Sequence, residues 1–241
     1  MVNFDNTTVM ASASIAILVA LTAIVLSTGS KDKPVRTRIF KFIYLNDVAL
    51  VNLINYKYKS GEYTAVDQAM QPFWNWSVQL LPMWMAPNLV TFIGLCLCII
   101  GHVTVISFSQ DYNMNPVPSW AFYMFAVVLF LYQTLDAIDG KQARRTGEGS
   151  PLGQLFDHGC DAFNLGLGLV VSCTAMNLRA DTSFLLFAWQ YIIGFIPFAF
   201  AQLEEYHSGV LKTANGALGI TEVQFIGMTV FVISGFFGTF L

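Results

Sequence analysis

The chain has 241 residues, of which 55% are hydrophobic, 15% are aromatic and only 11% are charged. A soluble globular domain is about one-quarter charged, so this composition is typical of a membrane protein. The formal net charge is −3 and no basic face is visible, so the sequence does not indicate a nucleic-acid partner. The four cysteines lack the paired CxxC spacing of a zinc site and are interpreted as packing residues.

Six apolar segments are long enough, or nearly so, to cross about 30 Å of hydrocarbon. They are residues 11–28, 89–110, 118–135, 162–178, 182–203 and 223–241. No positive residue precedes the first segment, whereas several Lys and Arg residues follow it, so we interpret it as an anchor with its amino terminus outside the cytosol and not as a signal peptide. How far the third and fourth segments extend into the charged stretch between them is left open.

With that orientation, every Lys and Arg except Arg179 lies on the cytoplasmic side. Such a positive-inside bias supports the topology. It also places the connection between the third and fourth spans, expected at 141–151, on the cytoplasmic face. Any chemistry of this connection would therefore use cytosolic reagents.

The region between the first two spans is mixed in character. Residues 66–82 include Pro72, Phe73, Trp74 and Trp76 and are too short to span a membrane. Aromatic residues of this kind favour the headgroup layer, so we predict an interfacial amphipathic helix, with an ordinary loop as the alternative. The predicted organisation is an amino-terminal anchor and basic flank at 1–41, a cytoplasmic or interfacial amphipathic region at 42–85, and a membrane domain at 86–241.

The most charged part of the chain, residues 135–161, reads LDAIDGKQARRTGEGSPLGQLFDHGCD. Asp136 and Asp139 are three residues apart near the end of one span, and Asp157 and Asp161 are four apart near the start of the next. On helices, both spacings put the pair on one face. Two neighbouring helices joined by a short loop would bring the four carboxylates to one pocket.

Four carboxylates at membrane depth need a cation, because each would cost about 2.5 kcal/mol or more on insertion scales. A salt-bridge network with Lys141, Arg144 and Arg145 is one solution. The other is a pair of Mg²⁺ ions, since hard divalent cations prefer oxygen ligands grouped in this way. A two-metal site would also suit displacement at phosphorus.

Further residues of the stretch favour a phosphate ligand. Gly140 is expected to end the first carboxylate helix, and Gly153 leaves room for a ligand or a close helix approach. Arg144 has the planar fork that suits phosphate. His158 is either a general base near neutral pH or a group that orients the neighbouring Asp157.

The pattern D-x2-D-G-x2-A-R-x8-G-x3-D-x3-D, which starts at Asp136 and ends at Asp161, resembles the signature of the CDP-alcohol phosphotransferases without a mismatch. The blocks PFWNW, WMAPN, SPLGQLFDHGCD and EEYH make the chain similar to the eukaryotic choline and ethanolamine phosphotransferases. The resemblance covers about three-fifths of the chain. It implies an all-α, polytopic membrane helix bundle with a CDP-alcohol phosphotransferase core.

The resemblance also implies an activity, which is the transfer of phosphocholine or phosphoethanolamine from CDP-choline or CDP-ethanolamine to diacylglycerol, with release of CMP. The four aspartates would hold two Mg²⁺ or Mn²⁺ ions. Asn88 and Arg144 would contact the CDP-alcohol, Gly140 would admit the cytidine phosphates, and His158 would accept the proton of the diacylglycerol hydroxyl. A multi-pass location in the endoplasmic reticulum or Golgi membrane and a possible homodimer follow from the same resemblance.

Two departures from the family support a different hypothesis. The span at 11–28 is additional, and only five spans follow the amphipathic region where the family core has six, so the membrane domain is expected to be truncated at its carboxyl end. A non-catalytic paralogue or fragment, which binds nucleotide or pairs with a full-length enzyme, is therefore the alternative. His207 in the EEYH block is a second candidate for proton transfer or headgroup contact, or else an ordinary interfacial residue, whereas His102 is interpreted as a packed helix residue.

Overall fold

The computed structural model describes residues 51, 55, 56, 58–109, 117–178, 184–216 and 218–238. The predicted anchor at 11–28 and its basic flank lie outside these residues. Six α-helices occur in the described part, within a compact unit, Tyr56–Leu241. They are α1 (Ala65–Ser77), α2 (Pro87–Phe108), α3 (Ser119–Thr146), α4 (Pro151–Ala175), α5 (Phe184–Ser208) and α6 (Ile220–Phe237). The all-α prediction is thereby confirmed.

The remaining regular structure of the described part is short. A 3₁₀ turn, Val78–Leu80, follows α1, and the two-residue strands β1 (Ala214–Asn215) and β2 (Leu218–Gly219) form an antiparallel hairpin before α6. A single parallel bridge joins Ser60 to Leu211. These elements connect the helices and add no sheet layer.

Four helices, α2, α3, α5 and α6, are long and apolar enough to cross a membrane. Each overlaps one of the predicted spans, so the polytopic membrane prediction is confirmed. The predicted span at 162–178 is the apolar second half of a longer helix, α4, whose first half is polar. That first half carries Gln154, Asp157, His158 and Asp161.

The helix α1 confirms the helical part of the prediction for 66–82, and the loop alternative is wrong. Thr64 begins the helix with a reciprocal cap, because its hydroxyl accepts from the Asp67 N–H at 3.1 Å while its own N–H donates to the Asp67 carboxylate at 3.1 Å. Trp74 is buried and Trp76 is exposed, so the helix has two different faces. Its location at a membrane interface stays a prediction.

The expectation that Gly140 ends the first carboxylate helix is wrong, because α3 continues to Thr146. The helix ends at Gly147, whose φ of +68° is the left-handed conformation that glycine adopts readily. Ser150 then begins α4 by accepting a hydrogen bond from the Gly153 N–H at 3.1 Å. The connection is therefore residues 147–150, shorter than the predicted 141–151.

The helices pack around α3, which contacts α1, α2 and α6, while α4 contacts α2, α5 and α6. Glycines allow close approach, since a Cβ on Gly235 would lie 2.7 Å from the Tyr123 ring and one on Gly101 would lie 2.9 Å from Phe125. None of the residues of α5 is buried. This packing brings the carboxyl end of α3 against the amino end of α2, where the amino end of α4 also lies.

Candidate metal and substrate centre

Three carboxylates meet where the carboxyl-terminal part of α3 lies beside the first half of α4. Oxygen atoms of Asp136, Asp139 and Asp157 all lie within 4.8 Å of one another. The first two share a face of α3 because they are three residues apart. Asp139 is the most buried of them, with 7% of its surface exposed.

The fourth carboxylate, Asp161, is one turn further along α4 and adjoins the Asp136 side chain. The Tyr132 hydroxyl donates a hydrogen bond to Asp161. The Thr91 hydroxyl on α2 likewise donates to Asp139. All four aspartates of the sequence pattern therefore lie in one cluster, which two hydroxyl donors orient.

The nearby basic side chains are directed to other partners. The Lys141 ammonium donates to Gln71 Oε1 at 2.7 Å and Asn75 Oδ1 at 2.9 Å, both on α1. The Arg145 guanidinium donates to the backbone oxygen of Val78 and to Gln142 Oε1, the latter at 2.9 Å.

Across the described ranges, no Lys or Arg forms an ion pair with the four aspartates. The salt-bridge network considered from the sequence is therefore not formed there. Asp157 Oδ1 is buried without a hydrogen-bond partner, although buried polar atoms normally have one. Grouped carboxylate oxygens, one of them unpaired, are a donor set that fits a hard divalent cation.

The amino ends of α2 and α4 come together at Asn88 and Gly153. A Cβ on Gly153 would lie 3.3 Å from Asn88 Oδ1 and 3.3 Å from Ser150 Oγ, so a larger residue would displace a neighbour. The space beside Gly140 is open, because a Cβ there would meet only the Arg144 guanidinium, at 3.7 Å. Arg144 is exposed. Arg144 therefore borders the open space beside Gly140, and Asn88 lies at the junction of α2 and α4.

The three histidines lie in different surroundings. His158 is half-buried on α4 and, three residues before Asp161, shares a helix face with it. His207 is exposed at the end of α5, where its ring contacts Tyr206 with centroids 5.1 Å apart. His102 is 7% exposed, with Nδ1 3.3 Å from the Leu167 carbonyl oxygen, as expected of a packed helix residue.

Thr91 and Tyr132 contact the site but were not among the predicted site residues. Tyr132 lies four residues before Asp136, so its position on the carboxylate face of α3 was readable from the helical period. Thr91 belongs to a different helix, α2. Its contact with Asp139 depends on how α2 packs against α3, which no local pattern reveals.

The fold and the site define a polytopic membrane protein with a carboxylate cluster suited to divalent cations. Residues 84–238 match the family model described as CDP-alcohol phosphatidyltransferase. The chain belongs to this family.

Curated relatives include cholinephosphotransferases. The chain is 39% identical to cholinephosphotransferase 1 of Danio rerio over 80% of its own length and 50% of that protein. It is 37% identical to cholinephosphotransferase 1 of Homo sapiens over 80% of its length and 47% of that protein. An uncharacterized class-I CDP-alcohol phosphatidyltransferase family protein of Dictyostelium discoideum is 36% identical over 82% of the chain and 47% of that protein. The chain thus spans about half the length of these relatives.

Proposed function

We propose that the protein transfers phosphocholine or phosphoethanolamine from the CDP-alcohol to diacylglycerol, giving phosphatidylcholine or phosphatidylethanolamine and CMP. The observation that carries the proposal is the carboxylate cluster, in which oxygen atoms of Asp136, Asp139 and Asp157 lie within 4.8 Å of one another. Membership of the family and the similarity to cholinephosphotransferases support the choice of reaction.

The four aspartates, with Asp161 as the fourth, would hold two Mg²⁺ or Mn²⁺ ions. When bound, these ions would neutralise the carboxylates and stabilise the charge that develops on the pyrophosphate oxygens. Arg144, beside the open space at Gly140, and Asn88, at the amino end of α2, would contact the CDP-alcohol. Gly140 would leave space for its phosphates, and Gly153 keeps the amino ends of α2 and α4 close.

His158 would act as the proton acceptor. The diacylglycerol hydroxyl loses its proton to the imidazole, and its oxygen attacks the phosphorus that carries the alcohol. The bond between that phosphorus and the CMP oxygen breaks, and CMP leaves with the bonding electrons. The location of His158 beside the carboxylates supports this role, because proton transfer requires the base to lie within hydrogen-bond reach of the hydroxyl.

The site would face the cytosol, where the water-soluble CDP-alcohol is present, and the acceptor would enter from the bilayer. The distribution of Lys and Arg supports this orientation. We propose the endoplasmic reticulum or Golgi membrane as the location.

The test is an assay of phospholipid synthesis by the full chain in liposomes that contain diacylglycerol. Radiolabelled CDP-choline or CDP-ethanolamine is supplied with Mg²⁺, and labelled lipid is extracted and counted. We expect product from the unmodified chain and none from Asp161→Asn. If a folded chain binds the nucleotide but forms no product from either donor, the non-catalytic alternative replaces this proposal.

A further inference from the structure

A second polar cluster is centred on Glu205, which is not one of the four aspartates proposed to hold metal. It adjoins the first half of α4, the helix that carries Asp157 and Asp161. Glu205, near the end of α5, accepts hydrogen bonds at Oε1 from the Tyr56 hydroxyl at 2.7 Å and from Gln154 Nε2 at 2.6 Å. Gln154 belongs to the first half of α4. The cluster therefore joins three parts of the chain that are distant in sequence.

Backbone hydrogen bonds hold the segment before α1 beside Leu211, three residues after the end of α5. The Leu211 N–H donates to the Lys59 carbonyl oxygen at 3.0 Å, and the Gly61 N–H donates to the Leu211 carbonyl oxygen at 2.7 Å. A Cβ on Gly61 would lie 3.1 Å from that Leu211 oxygen, so the pairing is close. These bonds fix the backbone at Lys59 and Gly61, immediately after Tyr58.

Tyr58 follows Tyr56 by two residues and lies within electrostatic reach of both Glu205 and Asp157. Burial raises the pKa of its phenol to about 12, and the charges of Asp157 and Glu205 contribute to the increase. The residue is nevertheless 47% exposed, so its ring is accessible from solvent. Gln154, which donates to Glu205, precedes Asp157 by three residues, which is about 5 Å along a helix.

The charge of Glu205 has no counterpart in the described ranges, where no Lys or Arg forms an ion pair with it. The adjacent Glu204 differs, since its Oε1 accepts from Lys212 Nζ at 2.5 Å. Two donors therefore orient the Glu205 carboxylate, and the segment that supplies one of them, Tyr56, also carries the half-exposed Tyr58. A carboxylate and an aromatic ring together are the groups that recognise alkylammonium cations.

We propose that Glu205 and Tyr58 form a subsite for the cationic nitrogen of the CDP-alcohol headgroup, with Tyr56 and Gln154 positioning the carboxylate. In choline and ethanolamine the nitrogen is separated from the transferred phosphorus by one oxygen and two carbons. A subsite for it must therefore adjoin the metal centre, as this cluster does. The inference rests on the proposed function and adds to it a preference for cationic over neutral headgroups.

The test measures binding of three donors to the full chain in detergent with Mg²⁺. CDP-choline and CDP-ethanolamine carry a cation, and CDP-glycerol provides a neutral headgroup. We expect Glu205→Gln to weaken binding of the two cationic donors about tenfold and to leave CDP-glycerol within about twofold, because only the charge interaction is lost. Glu204→Gln is the matched control and should change none of the three.

A second pair of variants tests the aromatic ring independently of the Glu205 hydrogen bonds. Tyr58→Phe keeps the ring and should bind CDP-choline within about twofold of the unmodified chain. Tyr58→Leu removes the ring and should weaken binding by about 2- to 30-fold, the range of a cation–π contact.

Four results would overturn the inference. Equal loss of all three donors in Glu205→Gln would show a structural role, and no loss of the cationic donors would show no role in recognition. If the chain binds CDP with Mg²⁺ but binds the cationic and neutral donors equally well, the subsite is overturned and the proposed function is not. A chain that binds no nucleotide with Mg²⁺ overturns the proposed function as well.

Discussion

Replacement of Asp157 by asparagine should have opposite effects on stability in the absence and presence of divalent metal. Oxygen atoms of Asp136, Asp139 and Asp157 lie within 4.8 Å of one another. Two unit charges at that separation repel by about 3 kcal/mol at an effective dielectric constant of about 20. Without metal, proton uptake relieves part of this repulsion, so we expect the variant to be more stable by about 1–2 kcal/mol, or a few °C in unfolding temperature.

Divalent metal should make the unmodified chain more stable than Asp157→Asn. Saturating Mg²⁺ stabilises whichever form binds it, by about 2.7 kcal/mol at a concentration 100 times the dissociation constant. We therefore expect Mg²⁺ to raise the unfolding temperature of the unmodified chain by several °C and to have little effect on Asp157→Asn.

The assay is thermal unfolding in detergent, with EDTA and with Mg²⁺. Glu62→Gln, which removes an exposed carboxylate before α1, is the control and should behave like the unmodified chain. A metal site at Asp157 is contradicted if Asp157→Asn is no more stable than the unmodified chain in EDTA and its unfolding temperature rises equally with Mg²⁺.

Three further variants test the site. His158→Ala should lower kcat by about 100-fold or more with CDP-choline binding nearly unchanged, as measured by steady-state kinetics and nucleotide binding, and a full rate would remove the base assignment. Gly153→Ala should raise KM for the donor several-fold because its Cβ would meet Asn88 Oδ1 at 3.3 Å, whereas Gly159→Ala, with nothing within 4 Å, should not. Thr91→Val removes a hydroxyl that donates to a metal-site aspartate and should weaken Mg²⁺ affinity by about 10-fold, measured as the Mg²⁺ dependence of the rate; unchanged dependence would contradict the role.

The parts of the fold that follow from helical period were predictable. The spacing of the aspartates on α3 and α4 is local, and because a short connection joins the two helices, we expect their carboxylates to meet. The extent of α3 beyond Gly140 was not predictable, since Lys141 and Arg145 are held by side chains and carbonyls of α1 and the turn after it. Those contacts form only when α1 packs on α3, which local sequence does not encode.

The cluster around Glu205 was even harder to predict from the sequence. Tyr56 and Glu205 are 149 residues apart in sequence, and their contact depends on the packing of α5 and on the backbone pairing at Leu211. The EEYH block drew attention to His207, whereas in the structure Glu205 is the residue that accepts hydrogen bonds from Tyr56 and Gln154. Because consecutive helix residues point in different directions, a motif identifies the right turn of a helix without identifying which of its side chains faces the site.

The most direct test of the metal centre is a count of Mn²⁺ ions bound by the purified full chain in the presence of CDP, by electron paramagnetic resonance titration. We expect two ions per chain, as in a two-metal site, and fewer in Asp161→Asn. A folded chain that binds no Mn²⁺, or an Asp161→Asn variant that binds the same number with the same affinity, would contradict it.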